Sequence, residues 1–201
     1  GTEPNEAESS RIPGRSTTRW NQPVGAWDAD QVRITAIEGD ITTQDVDAVV
    51  NAANTAMRGG GGVDGAIHRA GGPAVLADCM ERFPHGLPTG GAGWTTAGDM
   101  PARYVIHVVG PNYRAGQRDP LLLESCYREA MRLADELSVS TIAFPAVSAG
   151  IYGWPLGDAA RIAVHTVGQV SRTSKVDEAR FVLFGAQTFQ AFADEIAKWQ
   201  Q

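Results

Sequence analysis

Short apolar segments alternate with segments of helical periodicity over most of this chain, and that alternation restricts the possible folds more than any other feature. The apolar runs predict strands at residues 31–38, 48–50, 92–97, 104–109, 141–145 and 180–184. Apolar residues on one face predict helices at residues 64–70, 73–82, 119–137, 155–170 and 189–196. Helical connections favour parallel strands, because each one returns the chain to the same edge of the sheet. We therefore expect an α/β protein, a three-layer α/β/α domain with a mixed, mostly parallel central sheet.

The first 27 residues differ in composition from the rest of the chain. They are rich in Ser, Thr, Pro, Arg, Glu and Asn and lack periodic apolar residues, so they bury too little surface to offset their ordering entropy. We interpret residues 1–27 as a flexible N-terminal tail, although Trp20 and Trp27 could dock on the remainder. Residues 28–201 suit a single domain.

Charge and cysteine content argue against several classes of function. The chain has 17 Lys and Arg against 23 Asp and Glu, a net charge of -6, which argues against bulk nucleic-acid binding. It shows neither an apolar run of about 18 residues nor a signal-peptide pattern, so we expect a soluble, cytoplasmic protein. We also expect it to be a monomer. Cys79 and Cys126 lack the spacing of a disulfide framework or a metal site, so we expect buried, reduced thiols.

Four consecutive glycines, residues 59–62, stand between a predicted strand and a predicted helix. Their backbone amides have no side chain in front of them, and a helix N-terminus adds about half a positive charge. Such a loop binds phosphate without Lys or Arg. A second loop, from Ser148 to Gly153, offers further amides, a hydroxyl and the ring of Tyr152. Both loops follow predicted strands, so we expect them to meet beyond the carboxyl ends of the sheet and to bind a diphosphate.

A dinucleotide-binding fingerprint is an alternative interpretation of the glycine loop. Gly60, Gly62 and Gly65 fit the pattern G-x-G-x-x-G. However, residues 54–58 separate the glycines from the strand, whereas the fingerprint lies directly in the strand-to-helix turn. The spacing therefore argues against a dinucleotide-dependent oxidoreductase.

Four polar side chains have both a structural and a functional interpretation, and a fifth has a structural one alone. Asp64 can stabilise the helix dipole, or it can orient or deprotonate a water beside bound phosphates. Asn54 can form a turn or hold a sugar hydroxyl, and Asp40 can cap a short turn or accept a hydrogen bond from a base amino group. His68, four residues after Asp64, could pair with it or simply pack on the helix. His107, in an apolar strand, is expected to be a hydrogen-bonded core residue.

Five motifs occur in a fixed order along the chain. They are Gly39-Asp40-Ile41-Thr42, Val49-Val50-Asn51-Ala52-Ala53-Asn54, Gly59-Gly60-Gly61-Gly62-Val63-Asp64-Gly65-Ala66-Ile67-His68, Pro101-Ala102-Arg103-Tyr104-Val105-Ile106-His107 and Pro145-Ala146-Val147-Ser148-Ala149-Gly150-Ile151-Tyr152-Gly153. Together they resemble the macrodomain family, and the spacing from Asn54 to Gly65 is similar to its MacroD type. The resemblance covers residues 32–198. It implies a three-layer α/β/α domain that binds ADP-ribose and hydrolyses mono-ADP-ribose from acidic side chains of proteins, and that could also deacetylate O-acetyl-ADP-ribose.

The resemblance also implies a role for individual residues. Asp40 becomes the acceptor for the adenine amino group, with the Ile41 backbone beside it and Phe184 stacked on the adenine. Asn54 and Asp64 become the catalytic pair. The diphosphate-binding residues are Gly60, Gly61, Gly62, Val63, Ser148, Ala149, Gly150, Ile151 and Tyr152, of which Tyr152 also packs near the distal ribose. Neither the motifs nor the resemblance requires a metal or a cofactor.

One segment departs from the MacroD pattern. That type usually has a Cys-x-Thr-Gly segment where this chain has residues 86–96, which lack Cys and contain Trp94. The linkage that the enzyme prefers therefore does not follow from the resemblance. The competing class is a binding module that recognises ADP-ribose without turnover. Such a module could dispense with Asp64, so the presence of Asn54 and Asp64 together favours an enzyme.

Overall fold

The computed structural model describes residues 31–201, so the predicted tail at residues 1–27 lies outside the described residues. The strands are β1 (Arg33–Glu38), β2 (Ala48–Ala53), β3 (Ala92–Thr96), β4 (Tyr104–Val109), β5 (Thr141–Phe144) and β6 (Glu178–Leu183). The helices are α1 (Gly62–Gly71), α2 (Pro73–Arg82), α3 (Pro120–Glu136), α4 (Leu156–Val170) and α5 (Ala186–Trp199). One-turn 3-10 helices lie at Ile41–Thr43 and Tyr113–Ala115. Each strand and helix that the sequence predicts is present, and the ends differ by a few residues.

The strands form one sheet in the order β1-β6-β5-β2-β4-β3. Neighbours pair in parallel except β3, which runs antiparallel to β4 at one side of the sheet. The prediction of a mixed, mostly parallel α/β sheet is confirmed.

Helices cover both faces of this sheet. Alternate residues of β2 point in opposite directions, so Val50 packs in a cluster with residues of α3, α4 and α5, whereas Val49 packs with Ile67 of α1. Val75 of α2 belongs to a third cluster, which includes Val109 of β4. The sheet therefore lies between α1 and α2 on one face and the other three helices on the opposite face, which gives the expected three layers. Within residues 31–201, no helix is long and apolar enough to cross a membrane.

Local sequence explains where several elements begin and end. Asp119 caps α3, because its carboxylate accepts a hydrogen bond from the Leu121 amide at 2.9 Å, and Pro120 lies in the first turn. Strand β2 continues past the predicted apolar run to Ala53. Strand β6 begins at Glu178 and ends at Leu183. The predicted strand included Phe184, but in the structure Phe184 follows the strand.

Candidate active site

The carboxyl ends of the parallel strands bring the predicted site residues to one edge of the sheet. Asp40 follows β1 with one residue between, Phe184 follows β6 directly, and Asn54 follows β2 directly. The loop that contains Ser148 begins after β5, which lies between β6 and β2 in the sheet. Ligands of open parallel sheets bind beyond this edge.

The glycine loop leads into the N-terminus of α1. Gly62 is the first residue of the helix, with a φ of +60° that favours glycine, and Gly61 is the N-cap without a capping side chain. Gly60, Gly61 and Gly62 are all exposed. The helix therefore begins two residues before the predicted start at Asp64, and this end presents backbone amides without a competing cap.

Asn54 and Asp64 lie beside the same glycine. A Cβ atom added at Gly60 would lie 3.1 Å from Asp64 Oδ2 and 3.3 Å from Asn54 Nδ2. Asn54 Nδ2 donates a hydrogen bond to the carbonyl of Gly59 at 3.1 Å, while its buried Oδ1 has no hydrogen-bond partner among residues 31–201. The structure thus brings the predicted catalytic pair together, although their roles stay predictions.

Asp64 is 5% exposed and is held at one of its two carboxylate oxygens. Asn51 Nδ2 donates to Oδ1 at 2.8 Å, and His68 Nε2 lies 3.4 Å from the same oxygen. Of the two interpretations of His68, the structure shows the pairing with Asp64. Both contacts are made to Oδ1. The other carboxylate oxygen, Oδ2, faces Gly60.

The second loop meets the first. A Cβ atom at Gly61 would lie 3.7 Å from Ile151 Cδ1, and Ile151 is 67% exposed at this junction. Ser148 is buried with a φ of 64°, and its Oγ has no hydrogen-bond partner in the described part of the chain. A positive φ on a non-glycine residue is strained and is often found at binding sites. The two loops thus meet beyond the carboxyl ends of the strands, as the sequence predicts.

Asp40 and Phe184 lie at the ends of neighbouring strands. Asp40 caps the 3-10 helix Ile41–Thr43, because its Oδ1 accepts hydrogen bonds from the Thr42 amide at 2.9 Å and the Thr42 hydroxyl at 2.7 Å. The Gly39 amide donates to the Leu183 carbonyl at 3.0 Å, so the two strands remain paired up to this point. Phe184 is 92% exposed. The capping role of Asp40 is confirmed, and the adenine contacts of Asp40 and Phe184 stay predictions.

His107, Cys79 and Cys126 are buried, as the sequence predicts. His107 is fully buried and hydrogen-bonded, and burial lowers its pKa to about 3, so it stays neutral. Cys79 and Cys126 are free and buried, and burial raises the pKa of the two thiols to about 11 and about 12. In residues 31–201, no three His, Cys, Asp or Glu side chains are grouped to hold a metal ion.

Two residues at the site were not assigned a function from the sequence. Asn51 carries the hydrogen bond to Asp64, and the available signal was a polar residue in an otherwise apolar strand. Arg58 donates hydrogen bonds to the carbonyls of Met57 and Phe83, both at 3.1 Å. Arg58 thereby ties the segment between Asn54 and the glycines to the end of α2.

Comparisons with known proteins agree with this geometry. The Macro domain family model matches residues 50–163, more than half of the chain. A macro domain-containing protein of Streptomyces coelicolor is 60% identical over 164 residues, which are 80% of this chain and 96% of that protein. The chain belongs to the macrodomain family. Another relative of this macrodomain, the O-acetyl-ADP-ribose deacetylase of Escherichia coli, is 48% identical over 158 residues, 77% of this chain and 89% of its own length.

Solved macrodomains have the same fold. A variant of the Oceanobacillus iheyensis macrodomain with ADPR matches this macrodomain with a TM-score of 0.81 and 35% identity, over 86% of this chain and 96% of the other. The Trypanosoma brucei macrodomain in complex with ADP-ribose matches with a TM-score of 0.78 and 39% identity, over 86% and 73% of the two chains. The family expected from the motifs is confirmed.

Proposed function

We propose that this macrodomain hydrolyses mono-ADP-ribose from acidic side chains of proteins and also deacetylates O-acetyl-ADP-ribose. The observation that carries the proposal is that Asn54 and Asp64 both lie beside Gly60, next to the N-terminus of α1. The name of the Escherichia coli relative and the ADP-ribose in the Trypanosoma brucei structure support the same ligand class.

In this proposal backbone groups bind the diphosphate. The exposed glycines before α1 and the loop that contains Ser148 lie in contact through Ile151, so their amides can surround one small anion. Neutral amides require no Lys or Arg, which explains how an acidic protein binds a phosphate ester. The adenine would lie between Asp40 and Phe184, at the ends of β1 and β6.

The reaction is displacement by water at the anomeric carbon of the distal ribose. The water oxygen forms a bond to that carbon while the bond to the ester oxygen of the Glu or Asp side chain breaks. The carboxylate leaves with the bonding electrons, and because the usual pKa of a carboxyl group is about 4, it needs no proton. Asp64 Oδ2 orients the water and accepts its proton, which then passes to solvent, while Asn54 holds the distal ribose.

The arrangement around Asp64 suits this role. One oxygen accepts the Asn51 amide, and the other faces the open glycine loop. Within residues 31–201, no Lys or Arg forms an ion pair with Asp64. For O-acetyl-ADP-ribose, the same oriented water would form a bond to the acetyl carbon while the bond from that carbon to the ribose oxygen breaks. The proton that Asp64 accepts from the water would pass to the ribose oxygen, so acetate and a ribose hydroxyl are the products.

A substrate panel tests the proposal. Wild-type protein and the Asp64→Ala variant are compared on glutamate-linked, serine-linked and arginine-linked mono-ADP-ribosylated proteins and on O-acetyl-ADP-ribose. We expect wild-type release from the glutamate conjugate and from the acetyl ester, and release about 100-fold slower or more for Asp64→Ala. Affinity for free ADP-ribose, measured by calorimetry, should stay within about threefold.

The matched control is Asp158→Ala. Asp158 is the third residue of α4, as Asp64 is of α1, but its side chain is half exposed and pairs with Arg161. It therefore supplies the same helix-dipole interaction without the proposed chemistry, and its loss should leave release unchanged. Equal release by wild type and Asp64→Ala would contradict the catalytic role of Asp64. Binding of ADP-ribose without release from any substrate would instead show a binding module.

A further inference from the structure

Three polar side chains form a row across three neighbouring strands on the α1 and α2 face of the sheet. They are Asn51 of β2, His107 of β4 and Thr95 of β3, and each is 0% exposed. Asn51 and His107 are direct neighbours in the parallel register of β2 and β4. Buried polar groups are costly unless they are hydrogen-bonded, so a row of them in an apolar core requires a physical explanation.

From Asn51 to the Thr96 carbonyl, the hydrogen bonds of this row run in one direction. Asn51 Nδ2 lies 2.8 Å from Asp64 Oδ1 and 3.0 Å from His107 Nδ1. An amide nitrogen only donates, so His107 Nδ1 must be the nitrogen without hydrogen. His107 Nε2 then carries the hydrogen and donates to Thr95 Oγ1 at 2.8 Å, and the Thr95 hydroxyl donates to the Thr96 carbonyl at 2.9 Å. Each bond has one donor and one acceptor.

Asp64 and His107 together hold the Asn51 amide in its observed orientation. The opposite orientation would place Asn51 Oδ1 against Asp64 Oδ1, two acceptors without a hydrogen between them. In the observed orientation, Asn51 Oδ1 has no hydrogen-bond partner within residues 31–201, so contacts to Nδ2 alone fix the amide. Of these contacts, only the one from His107 comes from outside the site.

We propose that His107 is a positioning residue, which fixes the Asn51 amide so that Asp64 is held at Oδ1 and presents Oδ2 to the glycine loop. This inference rests on the proposed function of Asp64 as the residue that orients water. His107 is completely buried, and it acts through Asn51.

A matched pair of substitutions separates this role from mere core packing. In His107→Asn, the side-chain carbonyl can occupy the place of Nδ1 and accept from Asn51. In His107→Gln, the longer amide reaches the place of Nε2 beside Thr95, and Asn51 loses its acceptor. Both variants remove the ring and add an amide, so they have similar costs for packing.

The expected result is a split between the two variants. His107→Asn should keep kcat within about threefold of wild type, whereas His107→Gln should lower kcat about tenfold or more with KM changed less than about threefold. Thermal denaturation should show similar Tm values for the two. Equal kcat losses in both variants, or no loss in either, would overturn the inference.

An NMR measurement tests the inference without any turnover. The ¹⁵N shifts of the wild-type His107 ring should show a neutral imidazole with hydrogen on Nε2 and none on Nδ1. Hydrogen on Nδ1 would overturn the inference even if the enzyme is active. If no substrate is hydrolysed while the ring shows the expected tautomer, the proposed function fails and the hydrogen-bond row stands.

Discussion

Two buried carboxylates at opposite edges of the sheet have different surroundings. Glu178, the first residue of β6, is 7% exposed, and Asp64, in the first turn of α1, is 5% exposed. Arg180 holds Glu178 with two hydrogen bonds, at 2.8 and 3.1 Å, and Arg33 adds another at 3.1 Å. Asp64 instead meets the Asn51 amide and the imidazole of His68.

In the proposed function, this difference separates a structural carboxylate, Glu178, from a reactive one, Asp64. Burial alone would raise the pKa of Glu178, but hydrogen bonds and charge from Arg180, with Thr35 and Arg33, lower it. A carboxylate with both oxygens bound to cationic and hydroxyl donors has no position left for a water. Asp64 is fixed at one oxygen and open at the other, which is the arrangement that orientation of a water requires.

The largest expected effect is on turnover. Asp64→Asn removes the proposed proton acceptor but keeps the shape of the side chain, so release of ADP-ribose from a glutamate conjugate should fall about 100-fold or more. Glu178→Gln, the same chemical change at the other edge, should keep the rate within about twofold. Single-turnover assays measure both. If Glu178→Gln slows release as much as Asp64→Asn, the two carboxylates do not differ as proposed.

Stability should show the reverse order. Glu178→Gln leaves Arg180 and Arg33 facing a neutral amide at a buried site, so the free energy of unfolding should fall by about 2 kcal/mol. Within residues 31–201, Asp64→Asn loses no Lys or Arg partner, so it should change this free energy by less than about 1 kcal/mol. Urea denaturation at neutral pH gives both values. A larger loss of stability in Asp64→Asn would contradict the assignment of Glu178 as the structural residue.

The pH dependence of unfolding gives an independent measure of Glu178. Its folded pKa is lower than its unfolded value, so its contribution is present above the unfolded pKa and is lost as the pH falls through the folded pKa. Wild-type protein should therefore lose more stability than Glu178→Gln as the pH falls below about 4.5. Urea midpoints measured across this range test the difference, and parallel curves would contradict it.

A smaller effect is expected at Gly60, which lies beside Asn54 and Asp64. In Gly60→Ala, the new methyl group would lie 3.1 Å from Asp64 Oδ2 and 3.3 Å from Asn54 Nδ2, tighter than ordinary contact. It would crowd the open oxygen, so kcat/KM should fall about tenfold while the fold is retained. Gly157→Ala is the control, because a Cβ atom there meets nothing within 4 Å. Equal activity of the two variants would show that Asp64 Oδ2 does not face the reacting water.

The smallest effect is expected at the adenine end of the site. Phe184 is 92% exposed, so Phe184→Ala should leave stability unchanged and weaken ADP-ribose binding about fivefold by loss of ring stacking. Leu121→Ala is a matched control, since Leu121 is a large apolar residue that is 65% exposed on α3. Calorimetry with both variants decides whether Phe184 contributes, and an unchanged Kd would remove it from the site.

Most of the fold and part of the site follow from local sequence. Apolar periodicity predicted the strands and helices, and the four glycines indicated where the helix that contains Asp64 begins, because these signals depend on neighbouring residues. The row from Asn51 through His107 to Thr95 depends on the register of three strands, and residues 51 and 107 are far apart in sequence. The partners of Glu178 also come from β1, at the other end of the chain.

Amide chemical shifts during titration with ADP-ribose test most directly whether the ligand binds at the edge that holds Asp64. Addition of ADP-ribose to the ¹⁵N-labelled protein should shift the amides of residues 40–41, 60–63 and 148–152, at the carboxyl edge of the sheet. The amides near Glu178 and Arg33, at the amino edge, should stay unchanged. Shifts that concentrate around Glu178, or no shifts at saturating ADP-ribose, would contradict the account.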